Sequence, residues 1–191
     1  GTESLFLAGF LGVSSRAVEG EPVGVLWGGR YDRNDDGSLV LDSNGFPTVA
    51  LTEGVIGDPN PDWRGGLGTS ITYKNITLST LFDASIGGDV WDGTNGALNN
   101  FGRTPETANE VTVSAAEAAS IINVNGSTLA SRPQANVNAD GTVTIRGNIR
   151  DFGAGPRLLD QSYYSGIGGG FGPVGEQFIK DGSWVKWRQL T

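Results

Sequence analysis

Two arms of alternating large and small residues meet at Lys74-Asn75, and this pattern limits the fold more than anything else in the chain. In the first arm Leu67, Thr69, Ile71 and Tyr73 share one face, and Gly66, Gly68, Ser70 and Thr72 share the other. The second arm sets Ile76, Leu78, Thr80, Phe82, Ala84 and Ile86 opposite Thr77, Ser79, Leu81, Asp83 and Ser85. A period of two over such a length is that of a β-strand, and Lys74-Asn75 is predicted to be a two-residue hairpin turn. Each arm, from Gly65 to Ile86, is about nine to eleven residues long, the length of a tilted membrane-crossing strand, whereas soluble strands average about five or six. A soluble hairpin packed on a core remains the alternative, although the weakly polar second face suits a wet lumen and Tyr73 stands where an aromatic girdle would lie.

The rest of the sequence agrees with an all-β, antiparallel chain with long polar loops. It has 31 glycines among its 191 residues, and Gly, Asn and Thr are weak helix formers. Pro22 to Tyr31 alternates as a strand, and Asp36-Gly37 is predicted to turn the chain into Leu39-Val40-Leu41. Asn44-Gly45 and Asp58-Pro59-Asn60-Pro61 mark further reversals. Gly87-Gly88 through Pro105 reads as a loop, and residues 153–175 read as a flexible glycine-rich loop. One short helix is expected near 114–123, with Ser114 as N-cap and Glu117 closing a capping box. After Asp140-Gly141, Val143, Ile145, Gly147 and Ile149 alternate with polar residues as one strand. From Phe178 to Thr191 the chain is extended, with Val185, Trp187 and Gln189 on one face and Trp184, Lys186, Arg188 and Leu190 on the other.

Composition removes several functions. With no His, Cys or Met, the chain has no disulfide, no Cys or His zinc site, and neither thiol nor imidazole catalysis. The net charge of −8 argues against a broadly basic nucleic-acid surface. Residue 1 is not followed by a basic region and an apolar run ending in a small-residue cleavage site, so no export signal is expected in these residues, and no apolar run is long enough for a membrane helix. The missing Met and the pattern cut at Thr191 suggest a piece of a longer protein.

Motifs for chemistry are weak. Ser183 and Lys186 have the Ser-x-x-Lys spacing, but in a strand they fall on opposite faces. The Gly166-Ile167-Gly168 cluster has neither a strand before it nor a helix after it, as a phosphate cradle requires. Asp32, Asn34, Asp36 and Gly37 match the opening of a calcium loop, yet Ser43 stands where a bidentate Glu is wanted and no helices flank it. Nothing fixes the separation of Glu176 and Asp181 for glycoside chemistry. Trp27, Trp63, Trp91, Trp184 and Trp187 could stack on sugars, but strand tryptophans are commonly core or girdle residues. No catalytic, cofactor or metal residue is assigned, and no enzyme is expected.

Two blocks carry a family resemblance. Val55-Ile56-Gly57-Asp58-Pro59-Asn60-Pro61-Asp62-Trp63, followed by Thr69-Ser70-Ile71-Thr72-Tyr73-Lys74-Asn75 and Leu78, resembles a characteristic block of the SusC/RagA-type TonB-linked outer-membrane proteins. Phe178-Ile179-Lys180-Asp181-Gly182-Ser183-Trp184-Val185-Lys186-Trp187-Arg188 resembles the family's later segment, with Trp184 and Trp187 in place of its usual Phe and Leu. The strand and acidic loop from Gly20 to Gly37 are similar to those preceding the first block. The resemblance implies that residues 1–191 are part of the C-terminal region of a transmembrane β-barrel, with the plug domain and final strands lying elsewhere. It implies import of oligosaccharides, glycans or peptides across the outer membrane, with a SusD-like surface lipoprotein and the TonB complex as partners. A fragment alone would not transport, because a barrel wall must close to satisfy its edges in lipid. The competing expectation is a soluble carbohydrate-binding or surface-adhesion β-module.

Overall fold

The structure, a computed structural model, describes residues 4–10 and 12–191; residues 1–3 and Leu11 lie outside the described residues. Among these the strands are β1 Ser4–Phe10, β2 Val13–Val18, β3 Val25–Gly28, β4 Gly54–Gly57, β5 Trp63–Tyr73, β6 Ile76–Ile86, β7 Asp89–Trp91, β8 Glu110–Val113, β9 Ile122–Asn123, β10 Asn136–Val137, β11 Val143–Arg146, β12 Asn148–Asp151, β13 Pro156–Leu159, β14 Ile179–Asp181 and β15 Trp184–Leu190. Four short helices join them: α1 Gly93–Asn100, α2 Pro105–Ala108, α3 Ala115–Ser120 and α4 Gln161–Tyr164. The chain is a mainly antiparallel all-β fold, as its alternation predicts, and among the described residues no helix is long and apolar enough to cross a membrane.

The chain divides into two units. The first gathers the segment ending at Trp27 with Val55–Trp91 and Ile179–Thr191; the second gathers Gly28–Gly54 with Asp92–Phe178.

In the first unit the hairpin forms in the expected register. Tyr73 pairs with Ile76, Ile71 with Leu78 and Leu67 with Phe82, leaving Lys74-Asn75 as the turn, with Lys74 at φ 52°. Positive φ at that position matches the twist of a two-residue hairpin loop. Strand β15 joins the other side of β6, so the sheet order is β15-β6-β5. One face of β15 departs from strict alternation. The register steps between Trp187 and Gln189, which makes Arg188 the extra residue of a bulge. Beyond it parity reverses: Leu190 pairs with Thr80 on the side of Val185 and Trp187, and Gln189 with Leu81 on the other. The same unit holds the sheet β1-β2-β3-β4 and the pair β14-β7. The β1–β2 hairpin lacks a sequence signature because its own register shift, between Phe6 and Ala8, interrupts the alternation.

The second unit has a conventional core. Ala118, Ile121, Leu129, Val143, Ile145 and Leu158 form one buried cluster. Phe46, Leu159, Tyr163 and Tyr164 form another. The Asp36-Gly37 and Asn44-Gly45 reversals are present, with Gly37 and Gly45 at φ 83° and 77°. The expected single strand after Asp140-Gly141 is two, because the chain kinks at Gly147 and sends β11 and β12 into different sheets.

The predicted helix is present as α3 with its complete box: the Ser114 hydroxyl accepts from the Glu117 N–H and the Glu117 carboxylate accepts from the Ser114 N–H. It stops at Ser120 because Ile121 is drawn into the core. Hydrogen bonds from the Ser114 hydroxyl and N–H hold the exposed Glu117 carboxyl below its ordinary value of 4.5. A lowered folded value means that the box contributes fully above the ordinary Glu range and is lost as pH falls through the lowered value. Acidification is therefore expected to fray the first turn of α3, read as a drift of the Ala115–Glu117 Cα chemical shifts toward coil.

Two stretches read as loops are ordered. Segment 87–105 contains β7, α1 and the start of α2, and 153–175 contains β13 and α4. Helix α1 begins GTNG, poor in helix formers. It is held at its start by Asp92, whose carboxylate accepts from the Asn95 N–H at 3.0 Å, and from outside by packing. Gly96 and Gly170 lie so close that a side chain on Gly170 would strike the Gly96 backbone, and the Gly170 N–H donates to the Gly96 carbonyl at 2.9 Å. The late glycines thus serve close approach here, not looseness.

Candidate functional site

The first unit has almost no interior. Of 14 buried apolar side chains among the described residues, only Val13 and Val25 belong to it. Of 22 large exposed ones, 17 do. A water-soluble domain hides such residues; here they form a surface.

The largest continuous part of that surface is one face of β15-β6-β5. Leu67, Ile71, Tyr73, Ile76, Leu78, Phe82, Val185, Trp187 and Leu190 lie on it by register, with Leu67 70% and Ile71 63% exposed. Trp187 stacks on Phe82, ring centroids 5.8 Å apart, and its Nε1–H donates to Thr80 Oγ1 at 2.7 Å. The opposite face is polar and cross-linked. Ser70 and Ser79 hydroxyls meet at 3.0 Å, Thr72 and Thr77 hydroxyls at 3.0 Å, and Arg188 pairs with Asp83 at 2.9 Å. Lys186 and Arg188 both lie against the Trp184 ring, at 4.7 and 5.8 Å.

Aromatics stand at both ends of the apolar face. Tyr73 is beside the turn, and Trp63, paired with Ile86, is at the far end. Ten residue steps separate them, roughly 33 Å of strand, or about 25 Å of height at a tilt near 40°. The outward apolar band of a membrane barrel wall has a similar height and is flanked by aromatic girdles at both interfaces. Strand β5 starts at Trp63, two residues before the arm expected from Gly65, and the same period of two carried back past Arg64 places Trp63 on the apolar face. β5 and β15 are the sheet's edges, each leaving one row of backbone groups without a strand partner among the described residues.

No protein-family profile matches the chain. Over 91 residues it is 29% identical to TonB-dependent receptor P3 of Formosa agariphila, an alignment that covers 38% of this chain and 9% of that receptor. The likeness is to a TonB-dependent receptor. The chain therefore aligns with less than a tenth of the relative's length, at the level of that broad class.

The other sequence candidates are not brought together. Ser183 accepts from the Gly87 N–H at 2.8 Å while Lys186 lies over Trp184. Gly166-Ile167-Gly168 follows α4 and packs against it, Gly168 accommodating the Tyr163 ring. Glu176 pairs with Arg33 at 2.6 Å, and Asp181 accepts from the Ser183 N–H. In the acidic loop, Asp36 accepts from the Ser38 hydroxyl at 2.6 Å and its N–H at 2.9 Å, which holds its carboxyl below the ordinary range. Asn34 turns its amide N–H to Ser38. Asp32 accepts from the Arg33 N–H. The three ligand candidates thus serve their own turn, and among the described residues no group of three or more acidic side chains converges as a metal cage. The five tryptophans all lie in the first unit but do not form one platform: Trp63 and Trp187 share the apolar face and Trp184 the polar one.

Proposed function

We propose that the first unit is a piece of the lipid-facing wall of a TonB-dependent outer-membrane transporter of the SusC/RagA type. The observation that carries this reading is the exposed apolar face of β15-β6-β5, bounded by Trp63 and Tyr73 and backed by a polar face. In a membrane that exposure is solvation by lipid, and the open edges of β5 and β15 find partners in further strands of a closed wall. The likeness to a TonB-dependent receptor supports the broad class in this reading, and the resemblance of the IGDPNP and YKN blocks supports the SusC/RagA type. On this reading residues 1–191 are one segment of the receptor. The whole protein imports oligosaccharides, glycans or peptides with a SusD-like lipoprotein over its outer mouth and TonB supplying energy, and no residue here performs catalysis. The short Lys74-Asn75 turn belongs to the periplasmic side, where barrel turns are short.

A soluble carbohydrate-binding or adhesion module would bury Leu67, Ile71, Ile76, Leu78 and Phe82 in a compact core; all five are exposed. Nitroxide labels distinguish the two in membranes. A label at Ile71 is expected to be accessible to oxygen and shielded from a nickel chelate, and one at Ser70 the reverse. Lipid exposure at Ser70 with protection at Ile71 would exclude this register.

A further inference from the structure

The second unit contains a cleft of about 330 Å³ between α1, α2, β11 and α4. Its lining is rich in amides and poor in free charge. Asn99 is 7% exposed; its carbonyl oxygen accepts from the Thr104 hydroxyl at 2.6 Å, while among the described residues its Nδ2 has no acceptor. Asn100, Gln134 and Gln161 also line the cleft, and among the described residues no side-chain hydrogen bond engages their amides. The charged residues are largely committed. Asp160 caps α4 through the Ser162 N–H and lies 2.9 Å from Arg132, and Arg146 donates to the Thr107 and Gly102 carbonyls at 2.7 and 3.2 Å. Phe101, also in the lining, is 65% exposed and is braced edge-on by Phe171 at 5.5 Å.

From this lining we infer a subsite for one pyranose ring of a neutral saccharide. Each amide offers a donor and an acceptor side by side, the combination a ring hydroxyl needs, because a hydroxyl both gives and takes a hydrogen bond. The exposed Phe101 face suits the apolar face of a sugar ring. A peptide terminus or an anionic sugar needs an uncommitted countercharge, and the lining offers little. The volume is at the small end of ligand sites, which run from about 300 to 1,000 Å³, and so suits one ring of a longer chain. This deepens the transport reading, and its role as a substrate subsite rests on it; the geometry itself uses only the second unit's residues.

The chain has no cysteine, so a single one reports cleanly. In detergent micelles, Gln161→Cys is to be labelled with a maleimide alone and with 50 mM methyl glycosides of glucose, galactose, mannose and xylose. An alginate tetrasaccharide and the peptide Gly-Ser-Gly-Ser serve as anionic and peptide probes. At least one neutral glycoside is expected to slow labelling fivefold or more. Asn100→Ala is expected to weaken its binding at least fivefold and Phe101→Ala at least tenfold in saturation-transfer NMR, with Leu98→Ala, on the same helix but outside the cleft, unchanged. Both cleft substitutions trim partly exposed side chains, and Gln134→Ala is a further exposed variant that should weaken binding if either misfolds. Equal protection by the peptide or the alginate, or none by any glycoside, overturns the subsite. If sugar binds while the Ile71 label is found out of lipid, the transport reading falls and the subsite stands; the converse pair of results removes the subsite alone.

Discussion

Asp160→Ala is expected to destabilise the second unit by about 3–5 kcal/mol, the usual cost of leaving a buried ion-pair partner alone. Asp160 is 4% exposed and serves three partners. One carboxylate oxygen accepts from the Ser162 N–H at 2.9 Å, capping α4. The other accepts from Asn123 Nδ2 at 3.0 Å and lies 2.9 Å from Arg132 Nε. That guanidinium nitrogen is buried and its approach to the carboxylate is close in distance without the alignment of a hydrogen bond, so attraction between the charges is its only compensation. Asn123 is fully buried, and its carbonyl oxygen organises the next turn by accepting from the Asn125 and Ser127 N–H groups. Truncating Asp160 therefore strands one charge and one amide and removes a helix cap together. Asp160→Asn keeps an oxygen for the cap and should cost less. A double variant with Arg132→Met should recover part of the loss, since the stranded charge is then gone. All five tryptophans lie in the other unit, so the unfolding must be followed by hydrogen exchange of β13 and α4 or by tyrosine near-ultraviolet dichroism.

How far the sequence reveals the fold depends on whether order comes from neighbours along the chain or from across it. The β5–β6 hairpin is legible because its period of two runs unbroken for eleven residues on each side of a two-residue turn. The capping box of α3 is legible for the same reason, its two partners lying three positions apart. The bulge at Arg188 is not, because one inserted residue inverts the parity of everything after it, and only pairing with β6 reveals the insertion. Helix α1 is invisible to local propensity: GTNG alone would not fold, and contact with Gly170 and Phe178, far along the chain, holds it. Composition misleads at those late glycines for a related reason, since it cannot separate a glycine that lets the chain move from one that lets two backbones touch.

The candidate sites divide the same way. The apolar face can be written down from the sequence except for Trp63, one step of the period before the expected arm, and Leu190, beyond the bulge in β15; what sequence cannot supply is that this face stays uncovered. The amide cleft is wholly illegible. Asn99, Asn100, Gln134 and Gln161 come from three separate segments, and in the sequence each is one more polar residue in a polar loop.

Leu67→Arg gives the sharpest test of what solvates the uncovered face. In a barrel embedded in a bilayer it is expected to cost about 2–4 kcal/mol, because Leu67 lies near the middle of an eleven-residue strand and so near the membrane midplane. Tyr73→Arg, at the turn end of the same face, should cost no more than about 1 kcal/mol, since a charge there reaches the interface. Ser70→Arg, on the polar face, should be tolerated in a wet lumen. Folding of the receptor into phospholipid vesicles, titrated with urea and read by the heat-dependent shift of the folded band on a gel, measures all three. The ordering separates the readings more firmly than any single value. A water-soluble sheet has no depth, so arginine at Leu67, already 70% exposed, would be as harmless as at Tyr73 and would raise solubility. A steep loss at the strand centre, a shallow one at its end and none on the opposite face can arise only where the medium itself changes from water to hydrocarbon along the strand.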